Sequence, residues 1–194
     1  MEQRLRETLR YLGYGKHVVE ESTLHLISES FVKLDDIKRE RFVYRFFEVE
    51  RVKEHGIWIN AMNIESKDLS KNLSGCQRCA IFAATLGIEV DTYIRKMTML
   101  DMAKAVILQA CAATLVEELC DKVEEKIRSE VKQDEMKLKP RFSAGYGDLN
   151  IRYQEDILTA LEAQKKIGVT LTDSFMMIPT KSVTAFIGIQ KERT

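Results

Sequence analysis

The segment Arg141-Phe142-Ser143-Ala144-Gly145-Tyr146-Gly147 sets an arginine four residues ahead of a Gly-Tyr pair. After a helical interval the chain continues Leu171-Thr172-Asp173-Ser174-Phe175-Met176-Met177-Ile178-Pro179. A guanidinium is a planar cationic fork, and glycines let a backbone bend around a small molecule. The chemistry predicted is capture of a small ligand. Proton transfer has no comparable set of residues, because His17, His25 and His55 lie scattered in the first third with no nucleophile signature nearby. The chain has no Walker loop, no nucleophile elbow and no GxGxxG opening a helix after a strand. The common nucleotide-binding and hydrolase folds are therefore disfavoured.

Among the four cysteines only Cys76 and Cys79 have metal-ligand spacing, and no second CxxC or histidine pair accompanies them. No metal site is expected. Cys111 and Cys120 fall on one predicted helix, about 13 Å apart at 1.5 Å per residue, too far for a mutual disulfide. They read as small core residues.

A chain of 194 residues can form one domain and bury roughly 70% of the surface exposed when unfolded. The expectation is a single domain over 1–194, with a helical N-terminal part at 1–37 and a core at 38–194. Lys plus Arg number 30, as do Asp plus Glu, so no overall field draws the chain to nucleic acid or to an anionic membrane. Charges begin at once in Met1-Glu2-Gln3-Arg4-Leu5-Arg6, without the apolar centre of a secretory signal. The uncharged run Ala105–Val116 is well short of the ~20 residues a spanning helix needs. A cytoplasmic location is expected.

Helical spacing of Leu5, Leu9 and Leu12 stops at Gly13-Tyr14-Gly15, and a second helix is predicted from about Val18 to Leu34, with Leu24, Ile27 and Phe31 inward. Aromatic and β-branched residues over Arg41–Val49 predict a strand, with Gly56–Ile59 as its neighbour. Ser66 is a cap for a short helix through Leu73, closed by Gly75, and Cys79–Ala84 reads as a buried strand. Thr85-Leu86-Gly87 turns into a helix, a tight turn against the core rather than an anion site. Asp101 caps a long helix to about Arg128, apolar on nearly every face before Val116 and acidic on one side after it. Val131–Pro140 reads as a connector. Ile151–Ile167 is expected as one helix closed by Gly168. Phe175–Ile178 and Val183–Ile189 are expected as a hairpin across Pro179-Thr180-Lys181, with Met176 and Met177 packing in its strand.

The ordered set Arg141-x-x-x-Gly145-Tyr146, then Gly168-Val169-x-Leu171-Thr172-Asp173-Ser174-Phe175-x-Met177-x-Pro179-x-x-Ser182-Val183, resembles the activation domain of cobalamin-dependent methionine synthase. Phe82-Ala83-Ala84-Thr85-Leu86-Gly87-x-Glu89-Val90-Asp91 and the alanine-rich helix reaching Leu115-Val116-Glu117 look like the same domain in a stand-alone form. The resemblance spans about residues 40–189. It implies an α+β fold, a twisted, mainly antiparallel sheet with flanking helices. It also implies S-adenosylmethionine as methyl donor and reductive methylation of a cobalamin that has slipped into the Co(II) state. Positioning and desolvation are what such a reaction asks of the protein, so the lack of catalytic acid–base residues fits.

By the resemblance, Arg141 pairs with the methionyl carboxylate, Tyr146 and the backbone from Ala144 through Gly145 to Gly147 line the adenosyl part, and Glu117 faces the positive groups. Each also has a plainer reading: Arg141 as a surface ion-pair partner, Tyr146 as a core-edge aromatic and Glu117 as a solvated carboxylate. The fused form carries proline where this chain has Gly147, and its N-terminal aspartate and C-terminal tyrosine pair, both ligand contacts, have no match here. None of the histidines sits in Asp-x-His-x-x-Gly, so cobalamin is expected on a partner, a methionine synthase core acting in trans, with a flavodoxin- or ferredoxin-like electron donor. Two other readings stand beside this methyltransferase-type role. One is a non-catalytic module that holds a corrinoid protein, and the other is a CxxC redox protein.

Overall fold

The computed structural model describes residues 2–15, 17–131 and 136–191. Helices α1 (Glu2–Tyr11) and α2 (Glu21–Ile37) open the chain, and β1 (Arg41–Lys53), β2 (Gly56–Ile59) and β3 (Met62–Glu65) follow as a meander. Next come α3 (Lys67–Asn72), β4 (Arg78–Thr85), α4 (Ile88–Leu100), the long α5 (Met102–Val131) and β5 (Met136–Leu138). The chain closes with α6 (Tyr153–Leu161), α7 (Ala163–Ile167), β6 (Thr170–Leu171), β7 (Met177–Ile178) and β8 (Ser182–Lys191). Six strands form one antiparallel sheet in the order β3-β2-β1-β4-β8-β5, while β6 and β7 make a separate two-stranded ribbon. The architecture is α+β, as expected.

Side chains alternate across a strand, so a strand apolar at every position must be covered on both faces. Strand β4 is such a strand. Its Ala80, Phe82 and Ala84 join the core beneath α2, α4 and α5, whereas Cys79, Ile81 and Ala83 join a second core with α3, α6 and α7. Strand β8 divides likewise, Ala185 and Ile187 going to the first core and Phe186 to the second. The local signals at the helix starts hold: Ser66 Oγ accepts from Leu69 N at 3.0 Å, and Asp101 Oδ1 accepts from Lys104 N at 3.0 Å. Among the described residues no helix is long and apolar enough to cross a membrane.

Three expectations fail for identifiable reasons. The helix over Ile151–Ile167 is broken at Glu162, which adopts φ 54°. Leu161 and Ala163 are both buried in the second core. Two residues apart on an unbroken helix they would point roughly 200° apart, so the chain must change direction between them. The connector contains β5, which pairs with Ile189–Lys191, and its positions 132–135 lie outside the described residues.

The expected hairpin does not form. Strand β7 pairs with β6, while β8 runs between β4 and β5. The turn is tied elsewhere: the carboxylate of Asp91 on α4 accepts from Thr180 N at 2.5 Å and Thr180 Oγ1 at 2.7 Å. Ser182 Oγ donates to the carbonyl of Pro179 at 2.6 Å. A turn fastened to α4 delivers β8 to the main sheet.

Candidate functional site

Strand β8 is covered by β5 only at its far end. Nearer its start, the outer edge meets Phe142, which exchanges two backbone hydrogen bonds with Phe186 at 2.8 and 2.9 Å. The ladder's alternation then turns the N–H and C=O of Thr184 toward the same edge. A cavity of about 510 Å³ opens there. One end carries Glu117 and Cys120 of α5 together with Arg141, and the other carries Ala144, Gln154 and Met177. Consecutive residues Val183 and Thr184 line it from opposite faces of the sheet, so it wraps over the strand's edge.

At the α5 end, Arg141 is held by carboxylates one turn apart. Its Nη1 donates to Asp121 Oδ1 at 2.6 Å and its Nη2 to Glu117 Oε2 at 3.1 Å, with Glu124 Oε2 3.5 Å from Nη1. Burial opposes the charge of Arg141, but the hydrogen bond to Asp121 and the surrounding anions outweigh it and raise its pKa. Glu124 is also paired with Arg128 at 2.7 Å, so Arg141 faces Glu117 and Asp121 with one charge against two, a suitable setting for a ligand with cationic groups as well as a carboxylate.

The sequence-derived residues Arg141, Ala144, Tyr146 and Glu117 all line this cavity. Gly145 does not line it. It turns the loop at φ +91°, and its N–H donates to Leu149 O at 2.8 Å. Tyr146 is 71% exposed and stands at the mouth. It and Glu117 also line a second depression of about 510 Å³, whose other wall is α1 with Glu7, Arg10 and Tyr11. Nothing in the sequence pointed to α1 as part of this region. It is fixed to α5 by Thr8 Oγ1, 3.0 Å from Thr114 Oγ1, and by Arg4, which pairs with Glu118 and Asp35.

Asp121, Glu124 and Gln154 were also missed. The acidic pair was legible in one respect, since Glu117, Asp121 and Glu124 fall at helical spacing on one face. The motif Leu171–Phe175 proves separate from the cavity: Leu171–Asp173 and Phe175 line an open depression of about 1230 Å³ between α6, α7 and the β6–β7 ribbon.

The departure at Gly147 has a local cause. The residue sits at φ +55°, which proline cannot adopt, and a Cβ there would run into the Asp68 carboxylate, whose Cγ would lie 3.2 Å away. The neighbouring Asp148 caps α3, accepting from Ser66 Oγ at 2.5 Å, Lys67 N at 2.7 Å and Asp68 N at 3.2 Å. Those donors hold its carboxyl below the usual range. The clasp is therefore intact at neutral pH and is lost as pH falls through that lowered value. Gly147→Ala should lower the melting temperature by roughly 2–8 °C, from about 1–2 kcal/mol of left-handed strain. Differential scanning calorimetry checks this, and an unchanged midpoint would mean the loop is not bound to α3 as described.

The CxxC pair lacks the setting of a reactive thiol. Cys76 and Cys79 are both buried, and burial pushes both thiols up, Cys79 to about 12. Among the described residues no group of His, Cys, Asp and Glu has metal-binding geometry.

The six-stranded antiparallel sheet, covered by helices on both faces, is the fold of a methionine synthase reactivation domain. A solved structure of the MetH reactivation domain bound to AdoHcy superposes with a TM-score of 0.69 at 19% identity, over 93% of this chain and 69% of that one. The family model described as vitamin B12 dependent methionine synthase, activation domain, matches residues 59–194, and the chain belongs to that family. No curated protein matches it.

Proposed function

We propose that this chain binds S-adenosylmethionine in the groove over the β8 edge and uses it to reactivate cobalamin carried by a methionine synthase core in trans. The observation that carries the reading is the grouping of Arg141, Glu117, Ala144 and Tyr146 around one cavity, in a member of the activation-domain family. A carboxylate suits the guanidinium fork, and the ammonium and sulfonium suit the acidic α5 face. One electron from a flavodoxin- or ferredoxin-like protein and one methyl group from the sulfonium would return the partner's Co(II) cobalamin to its methylated form, releasing S-adenosylhomocysteine. The protein's part is to hold the donor in line and keep water out.

Calorimetry with S-adenosylmethionine, alone and with a Co(II)-corrinoid methionine synthase core, tests the reading. Binding in at least one case, with methylated cobalamin appearing once a reductant is added, is expected. No binding in either case would sink it. A second reading, a module that holds a corrinoid protein without a methyl donor, is favoured by one feature: both terminal nitrogens of Arg141 already donate to carboxylates of α5. Capture of the corrinoid core by a chain that never binds S-adenosylmethionine would select it.

A further inference from the structure

Polar atoms in a protein interior are almost always hydrogen-bonded, because an unpaired one forfeits its interaction with water. The α6 end of the cavity breaks this rule twice. Gln154 is 6% exposed and Thr184 is 1% exposed, yet neither Gln154 Oε1 nor Thr184 Oγ1 has a hydrogen-bond partner among the described residues. Both residues line the cavity, beside Ala144, Phe142 and Met177. Unspent hydrogen-bonding capacity thus sits among apolar side chains at one end, while all the charge sits at the other, with Arg141 and Glu117. A ligand matching this division has a zwitterionic tail and a flat heteroaromatic head.

We infer that Gln154 is the residue that reads the base of the methyl donor, its carboxamide oxygen accepting from the exocyclic amine of adenine. The inference rests on the function proposed above and adds the direction in which the ligand lies: base toward α6, amino-acid end toward α5. A carboxamide presents an acceptor and a donor side by side, the complement of an adenine edge with its amine and neighbouring ring nitrogen. With hydrogen in place of that amine, the purine edge has no donor left for Gln154 Oε1, whichever way the carboxamide is turned. Thr184 supplies a hydroxyl at the same end, able to donate or accept.

This role has a signature that a structural role lacks. A buried carboxamide oxygen without a partner costs stability, so Gln154→Leu should leave the melting temperature unchanged or raise it while weakening the ligand. The experiment is calorimetry of the full chain with S-adenosylmethionine and with an analogue whose purine carries hydrogen in place of the exocyclic amine, for the wild type and for Gln154→Leu. The wild type should prefer the adenine compound by roughly five- to a hundredfold, and the leucine variant should bind both alike. Equal binding of the two compounds by the wild type, or an undiminished preference in Gln154→Leu, would overturn the assignment and leave the proposed function standing. Failure of the wild type to bind either compound, alone or with its corrinoid partner, would overturn both.

Discussion

Arg141→Ala should weaken S-adenosylmethionine binding about ten- to a hundredfold, the equivalent of the roughly 1.5–3 kcal/mol carried by a charge-assisted hydrogen bond. The structure adds a second effect. Without the guanidinium, Glu117, Asp121 and Glu124 stand along one face of α5 without the cation they share, although Glu124 keeps Arg128. Like charges on successive turns repel, so the variant should also melt earlier, and more so at low ionic strength. Arg141→Lys separates the two effects. An ammonium restores the charge but not the planar fork, so the melting temperature should recover while affinity stays about tenfold down. Calorimetric titration beside thermal melts of the three proteins decides the matter. An Arg141→Ala protein with wild-type affinity would remove the carboxylate contact from the site.

Phe186→Ala should produce the largest loss of stability, about 3–5 kcal/mol, or roughly 6–20 °C in melting temperature for a domain of this size. Phe186 is fully buried in the second core, and its backbone holds Phe142, the residue after Arg141. A cavity left there lies directly under the anchoring point of the site loop. Ligand affinity should therefore fall together with stability, unlike in Gln154→Leu. Thermal melts and calorimetry at low temperature check both, and a drop below about 1 kcal/mol would mean this side chain does not pack in the second core as described.

Much of the fold was legible because single residues decide it locally. Ser66 and Asp101 cap the helices that follow them, and the unbroken apolar run of Cys79–Ala84 required cover on two faces. The failures are non-local. Whether Met177 and Ile178 pair with β8 or with β6 depends on Asp91, some ninety residues away, and the break at Glu162 depends on which face of the sheet receives Ala163. At the site the same division holds. Arg141 and Tyr146 announced themselves by type and spacing, and Glu117 followed from the family resemblance. Gln154 sat in an ordinary helical pattern, and only the three-dimensional count of partners singles it out. Helix α1 shares no motif with the loop it flanks.

The cavity's passage over the edge of β8 has a consequence for what can occupy it. Val183 and Thr184 adjoin in the chain but line it from opposite faces of the sheet, so the separation of the helices that carry its two ends, α5 and α6, is set by the sheet between them. Such a site works as a caliper. A fragment with only a base or only an amino acid touches one jaw and binds weakly, whereas a molecule joining the two at the right span gains the second contact as an intramolecular event at high effective concentration. Selectivity then belongs to the linker as much as to either end, and the strand is the gauge against which it is measured.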